Sequence, residues 1–294
     1  MLCQIELNTC SHRHLPLYDF ANIGLIYKSH WYNIYPTLCE LKFYDLNKTE
    51  RVALVAKIHA DILHAIVHDN IQPIKIHSSS EDTYVRKSAY LAIGRIYDSE
   101  IHLRARIISC TDELTMSEVP HIRQTAINAA GEIGKKDFAS VGHFFDRALF
   151  DPHHTVRNAV IGSVKKMSEV NPEPVLTWAK KYLHHPDKEV RREICHGIEL
   201  RGRTHPEDIL PLLRELENDP TARVRNTLIH VLGQITYKKN CLETVVADMK
   251  KWQNSNLVKA AFVEIVDVHH RYRNFAHYSQ EEASKYIDQR FPSS

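Results

Sequence analysis

The amino-acid sequence predicts an all-α fold, a right-handed α-α superhelix of stacked helix pairs, from three observations. A β-branched residue followed by arginine recurs at Val85-Arg86, Ile122-Arg123, Val156-Arg157, Val190-Arg191 and Val224-Arg225, with Val258-Lys259 a degenerate sixth. After a first interval of 37 the spacing holds at 34, and so constant a period marks a chain made of one repeated helical unit. The aligned positions also carry aligned chemistry. Phe144, Trp178, Leu212 and Val246 stand twelve residues before the aliphatic position, with Phe145, Ala179, Leu213 and Ala247 next to them, and predict the buried stripe of a first helix. Ala89, Ala126, Val160, Ile194, Leu228 and Phe262 follow at plus four, and Ile93, Ala130, Val164, Ile198, Leu232 and Val266 at plus eight, which predicts the buried face of a second helix. Lastly, Asp151-Pro152, His185-Pro186 and Asp219-Pro220 fall between the two stripes, where proline forces the preceding residue out of helical geometry.

Along the chain, residues 1–78 lie outside the register. They are rich in aromatic residues (Tyr18, Phe20, Tyr27, Trp31, Tyr32, Tyr35, Phe43, Tyr44), include one amphipathic helix from about Lys48 to His68, and read as an N-terminal cap. Ser78-Ser79-Ser80 is the candidate joint. Residues 79–270 read as about six helix pairs, and 271–294 as a C-terminal cap or tail. Gly94, Gly131 and Gly233 fall at plus nine inside second helices. Glycine there costs about 1 kcal/mol against alanine, so close helix approach is expected.

The Asp-Pro-x-x-x-Val-Arg turn at 151–157 and 219–225, with the Ala-x-x-x-Ile-Gly-x-Ile run at 89–96 and its Leu-initiated counterpart at 228–235, resembles HEAT repeats over roughly residues 80–270. The resemblance implies a HEAT/armadillo-type solenoid whose second helices line a concave groove. It says little about function, because such solenoids host many roles.

Composition narrows the class. A formal net charge of +2 over 294 residues gives no whole-chain electrostatic case for nucleic acid. The six cysteines (Cys3, Cys10, Cys39, Cys110, Cys195, Cys241) have no Cys-x-x-Cys spacing and read as reduced thiols of a cytoplasmic protein. No run approaches 18 apolar residues, and no basic-then-apolar leader opens the chain, so neither a membrane nor secretion is expected.

Asp61, His64 and His68 share one helix face and could supply three metal ligands. Nothing in the sequence supplies a fourth, and they read as a solvated face, so no metal and no cofactor are expected. The chain has no His-Glu dipeptide, which removes a likeness to the iron-binding HEAT hydroxylases of deoxyhypusine. The ladder arginines Arg86, Arg123, Arg157, Arg191 and Arg225 sit at the positive end of a helix dipole and need compensation. Asp151 and Asp219, six residues before Arg157 and Arg225, can pair with them; contact with phosphates is the other reading.

On the expected concave face, plus 2, 6, 10 and 13 give Lys87, Arg95, Lys135, Lys166, Arg192, Arg203 and Arg271 against Asp98, Glu132, Glu169 and Glu264. The candidate binding site is the densest part of that face: Arg192, His196, Arg203, Asn226, His230 and Gln234. Arg192 and Arg203 are expected to be solvent-exposed.

His185-Pro186, Val190-Arg191-Arg192, Ile209-Leu210-Pro211-Leu212-Leu213, Asp219-Pro220, Val224-Arg225 and Trp252 together resemble the C-terminal repeats of the HEAT-like alkylpurine DNA glycosylases. That family's asparagine and aspartate are replaced by His230 and Gln234, so the likeness implies DNA binding more than base excision. Two functions remain from the sequence: a scaffold holding a partner protein or nucleic-acid backbone in its groove, or a glycosylase acting on duplex DNA with Trp178 or Trp252 at the lesion. Both tryptophans fall on first helices, where core packing is expected.

Overall fold

The computed structural model describes residues 42–291. Cys3, Cys10, Cys39 and the aromatic residues before Lys42 lie outside them. The chain divides into two compact units at Asn47, and in the first the described structure is a single 3-10 turn, Phe43–Asp45.

The second unit, from Lys48 on, is helical throughout, with no strand among the described residues. One layer runs α1 (Lys48–Val67), α3 (Thr83–Ser99), α5 (Pro120–Gly134), α7 (His154–Val170), α9 (Lys188–Gly197), α12 (Ala222–Gln234) and α14 (Ser255–Arg271), each packed on the next. Against it lie α4 (Arg104–Thr115), α6 (Gly142–Ala148), α8 (Pro172–Lys180) and α11 (Pro206–Arg214), with α2 (Gln72–Ser79) beneath α3 and the one-turn α10 (Glu199–Gly202) prolonging α9. α13 (Cys241–Met249) continues from α11, and α15 (Gln280–Arg290) packs on both α13 and α14. The chain is therefore the expected all-α solenoid of ordered helix pairs.

Its core is a single cluster running from Ile58 to Ile287. Phe144, Phe145, Ala179, Leu213 and Val246 are buried in first helices, and the plus-four and plus-eight residues are buried from Ala89 through Leu232. The last helix departs from the stripe. In α14 the buried residues are Leu257, Val258, Ala261, Ile265 and Val268, while Phe262 and Val266 are half-buried. Among the described residues α15 alone follows α14 and packs on it, and Phe262 meets the Phe291 ring at 4.7 Å.

Ser78-Ser79-Ser80 is not a joint. Ser78 is buried and its carbonyl accepts from Thr125 Oγ1 at 3.2 Å, which ties α2 to α5.

The arginine ladder has a common geometry that explains its period. In each repeat Nη1 reaches back to the carbonyls of its own turn: Arg86 to Ser80 and Glu81, Arg123 to Ser117 and Glu118, Arg157 to Asp151 and Pro152, Arg191 to His185 and Pro186, Arg225 to Asp219. These carbonyls follow the end of a helix and have no partner along it, so one guanidinium closes each turn. The turn carboxylates pair differently from the expected register. Arg157 and Arg225 meet only the backbone of Asp151 and Asp219; the carboxylates are taken by the arginine one repeat earlier, Asp151 by Arg123 (2.7 and 2.9 Å) and Asp219 by Arg191 (2.5 and 3.1 Å). His185 occupies the corresponding place opposite Arg157, which turns to Glu193 at 3.4 Å instead.

The glycines do what their position predicts. A Cβ on Gly94, Gly131 or Gly233 would lie 2.7, 2.4 or 2.6 Å from Glu132, Ser163 or Glu264 of the next second helix.

Candidate functional site

Besides the degenerate sixth, which has Asp267, two repeats lack glycine at plus nine. They carry Lys165 and Glu199 there, one on α7 and one at the start of α10. Where neighbouring helices elsewhere touch through a missing side chain, these two meet through a salt bridge of 3.0 Å. Glu199 is thereby drawn beneath the surface, 1% exposed, and becomes the centre of the candidate site.

Its two oxygens have separate partners. Oε1 accepts from Arg203 Nε at 3.0 Å and Nη2 at 2.5 Å. Oε2 accepts from Lys165 Nζ and lies 3.2 Å from His196 Nε2, which is itself 2.9 Å from the same ammonium. Arg203 Nη2 also donates to Gln234 Oε1 at 3.1 Å, carrying the network from α10 to α12. Burial alone would raise the Glu199 carboxyl, but His196, Lys165 and Arg203 outweigh it and hold the group far below the usual carboxylate range. Beyond Gln234, the Arg203 guanidinium lies 5.9 Å from the Tyr237 ring, which stacks on Tyr272 at 5.1 Å.

His230 stands one turn before Gln234 on α12. Its ring meets that of His196 edge-on at 6.0 Å, and its Nδ1 lies 3.5 Å from Glu264 of α14. Burial pushes the His230 imidazole below its ordinary value. His196, Glu199 and His230 form the one group of three among the described residues whose histidine, cysteine or carboxylate ligand atoms converge, all within 4.8 Å. Asp61, His64 and His68 do not converge so: Asp61 is held by Lys57 at 3.0 Å and His77 at 3.1 Å, while the His64 and His68 rings meet each other, tilted, at 4.1 Å.

Of the six expected site residues, His196, Arg203, His230 and Gln234 thus come together. Asn226 is exposed one turn before His230, whereas Arg192, one turn before His196, is half-buried. The expected exposure of Arg192 and Arg203 is wrong. Their side chains are 19% and 17% exposed, Arg192 held by Glu189 at 2.9 Å and Glu193 at 3.6 Å, and Arg203 by Glu199. Acidic residues outside the outward register, Glu189, Glu193 and Glu199, supply the partners. The same neutralisation extends along the layer, where Lys135 and Lys166 meet Glu132, and Arg271 meets Glu264 and Asp267. The basic excess counted from the sequence is therefore largely paired within the face.

Both indoles belong to the core, Trp178 on the first helix α8 as expected and Trp252 in the turn after α13 rather than on a helix. Trp178 is buried against Phe138 and Phe145 and donates to Asp146 at 2.6 Å; Trp252 donates to Asp248 at 2.9 Å. Neither joins the Glu199 network. The described cysteines Cys110, Cys195 and Cys241 are unbridged, and burial pushes the Cys110 thiol up to about 12. No described helix is long and apolar enough to cross a membrane.

No curated protein sequence matches the chain. Among solved structures, the Escherichia coli protein YibA aligns at 17% identity over 90% of this chain and 98% of its own, with a TM-score of 0.41. An archaeal HEAT-like repeats protein from Thermococcus onnurineus NA1 aligns at 17% identity over 83% of this chain and 98% of its own, TM-score 0.37. A designed armadillo repeat protein in complex with the peptide (KR)4 aligns at 14% identity over 87% and 98%, TM-score 0.25. The family of HEAT repeats matches residues 175–255, the segment from α8 to the start of α14 that holds Glu199, Arg203 and His230. Over that stretch the chain is similar to HEAT repeats.

Proposed function

We propose that the chain is a non-catalytic scaffold that holds a segment of a partner protein across α7, α9, α12 and α14, with Arg192, His196, Arg203, Asn226 and His230 as contact residues and the buried Gln234 holding Arg203 from behind rather than meeting the partner, and that residues up to 78 serve as its cap. The observation that carries this reading is the cross-repeat network itself. Glu199 fixes Lys165 of α7, His196 of α9 and Arg203 relative to one another, Arg203 carries the network to Gln234 of α12, and His230 of α12 meets Glu264 of α14, so that donors and acceptors from successive helices are set in place, as a surface reading an extended chain through hydrogen bonds requires. The self-pairing of the face argues against a phosphate track, because binding a polyanion needs cations free to replace counterions.

The glycosylase alternative loses support on the same ground. Glu199 is a carboxylate in the right layer, but three cationic or donor groups already occupy it, which leaves little negative potential for a developing sugar cation. Neither Trp178 nor Trp252 reaches it.

The test is peptide selection from a display library on the full-length chain. Selected peptides should lose affinity by about tenfold or more in Asn226→Ala plus His230→Ala, an effect near 1.4 kcal/mol, and be unaffected by Lys180→Ala on α8. Equal loss in both variants, or no selectable peptide together with release of methylated purines from DNA, would overturn the proposal.

A further inference from the structure

We infer that His196, Glu199 and His230 constitute a binding site for one first-row divalent metal ion, zinc(II) being the probe that tests it. The site goes beyond partner binding and does not depend on it.

Two of the three residues already hold a cation. Lys165 Nζ lies 2.9 Å from His196 Nε2 and 3.0 Å from Glu199 Oε2, so two ligand atoms from different helices are aimed at one positively charged centre. An ammonium carries donors only, so where Lys165 bonds His196 the Nε2 presents its lone pair, the form of imidazole that ligates a metal, in place of donating to Glu199 Oε2 at 3.2 Å. Glu199 is monodentate by construction, since Arg203 holds Oε1 and leaves Oε2 facing the ammonium. Glu264 Oε1 lies 3.5 Å from His230 Nδ1, and a ring paired there offers its Nε2 to the metal. A carboxylate behind a histidine is the usual outer-shell support of a metal ligand.

Two imidazoles and one carboxylate suit zinc and its neighbours in the first transition row, with water completing the coordination. Metal–ligand bonds of about 2.0–2.2 Å are shorter than the contacts of an ammonium, so the ligand atoms, now within 4.8 Å of one another, draw together on binding. Lys165 must leave. Its side chain is 24% exposed and its stem flexible, so the ammonium can swing into water while Arg203 keeps the carboxylate in place. The lysine is thus a competitor for the metal as well as a placeholder, and that gives the site a distinguishing property.

Zinc(II) is titrated calorimetrically into the full-length chain at neutral pH, with helicity monitored in parallel. The wild type should bind one equivalent above the weak background of its other histidines. His230→Ala, at a position 41% exposed, should weaken that equivalent by about tenfold or more with helicity unchanged. Lys165→Met should tighten it, as a merely structural lysine would not; Lys165→Gln serves if the methionine variant loses helicity. Absence of one-site binding in the wild type, unchanged affinity in His230→Ala, or binding that appears only once Lys165 is replaced would each overturn the inference, the last by showing the ammonium to be the permanent occupant.

Discussion

Replacing Asp219 with alanine should destabilise the solenoid more than any surface ion-pair change. Arg191 and Asp219 have side chains 10% and 4% exposed. The carboxylate accepts both Nε and Nη2 of the arginine, and the Thr221 amide at 2.8 Å. Removing one partner of a buried pair leaves an uncompensated charge and costs about 3–5 kcal/mol. Here Arg191 would keep the His185 and Pro186 carbonyls, so the low end, about 3 kcal/mol, is expected. Arg147 and Asp112, 45% and 49% exposed, supply the control, because an exposed pair is worth about 1 kcal/mol or less. Urea unfolding of Asp219→Ala and Asp112→Ala, analysed at constant slope, measures the difference. Equal midpoints would refute the claim that turn aspartates tie neighbouring repeats together.

Other outcomes follow from the same geometry. His185→Asp places a carboxylate opposite Arg157 where the other rungs have one, and should stabilise by about 1 kcal/mol in urea unfolding. Gly131→Ala should cost about 1–3 kcal/mol, since the added carbon meets Ser163 at 2.4 Å. Gly162→Ala, with nothing within 4 Å of the new carbon, should instead stabilise by up to about 1 kcal/mol; thermal melts distinguish the two signs. Asp151 and Asp219 are held below their ordinary value of 3.8: burial pushes them up, but the bonds from Arg123 and Arg191 and the turn amides outweigh it. A depressed carboxyl stabilises the fold fully above its unfolded value and loses that contribution as pH falls through the folded one. Acid unfolding should therefore set in below about pH 4, and Asp219→Asn should flatten that part of the pH–stability curve.

The ladder, the two buried stripes and the proline turns were legible because a solenoid repeats its chemistry, and a period of 34 exposes each aligned position. Partnerships were harder to read. Helical phase gives the direction in which Arg192 and Arg203 point, but not that Glu189 and Glu199, three and four residues away, lie close enough to cover them. That spacing was visible in the sequence, as was the replacement of the plus-nine glycine by Lys165 and Glu199. Neither stands out until the layer is assembled, because a charged residue at a position of close approach signals a site only once its partner in the next repeat is known. The pairing of Asp219 with Arg191 rather than Arg225 has the same origin: six residues along the chain and 28 in the opposite direction are equivalent candidates until the repeats are stacked.

The scaffold reading rests on a face whose charges are already satisfied, and binding of duplex DNA as a function of salt tests it most directly. Fluorescence anisotropy with a short labelled duplex should show dissociation constants weaker than about 10⁻⁴ M near physiological salt, and little change when Arg192 and Arg203 are both replaced by glutamate. Affinity of about 10⁻⁶ M or tighter, with a steep dependence on salt concentration that the double replacement flattens, would contradict it.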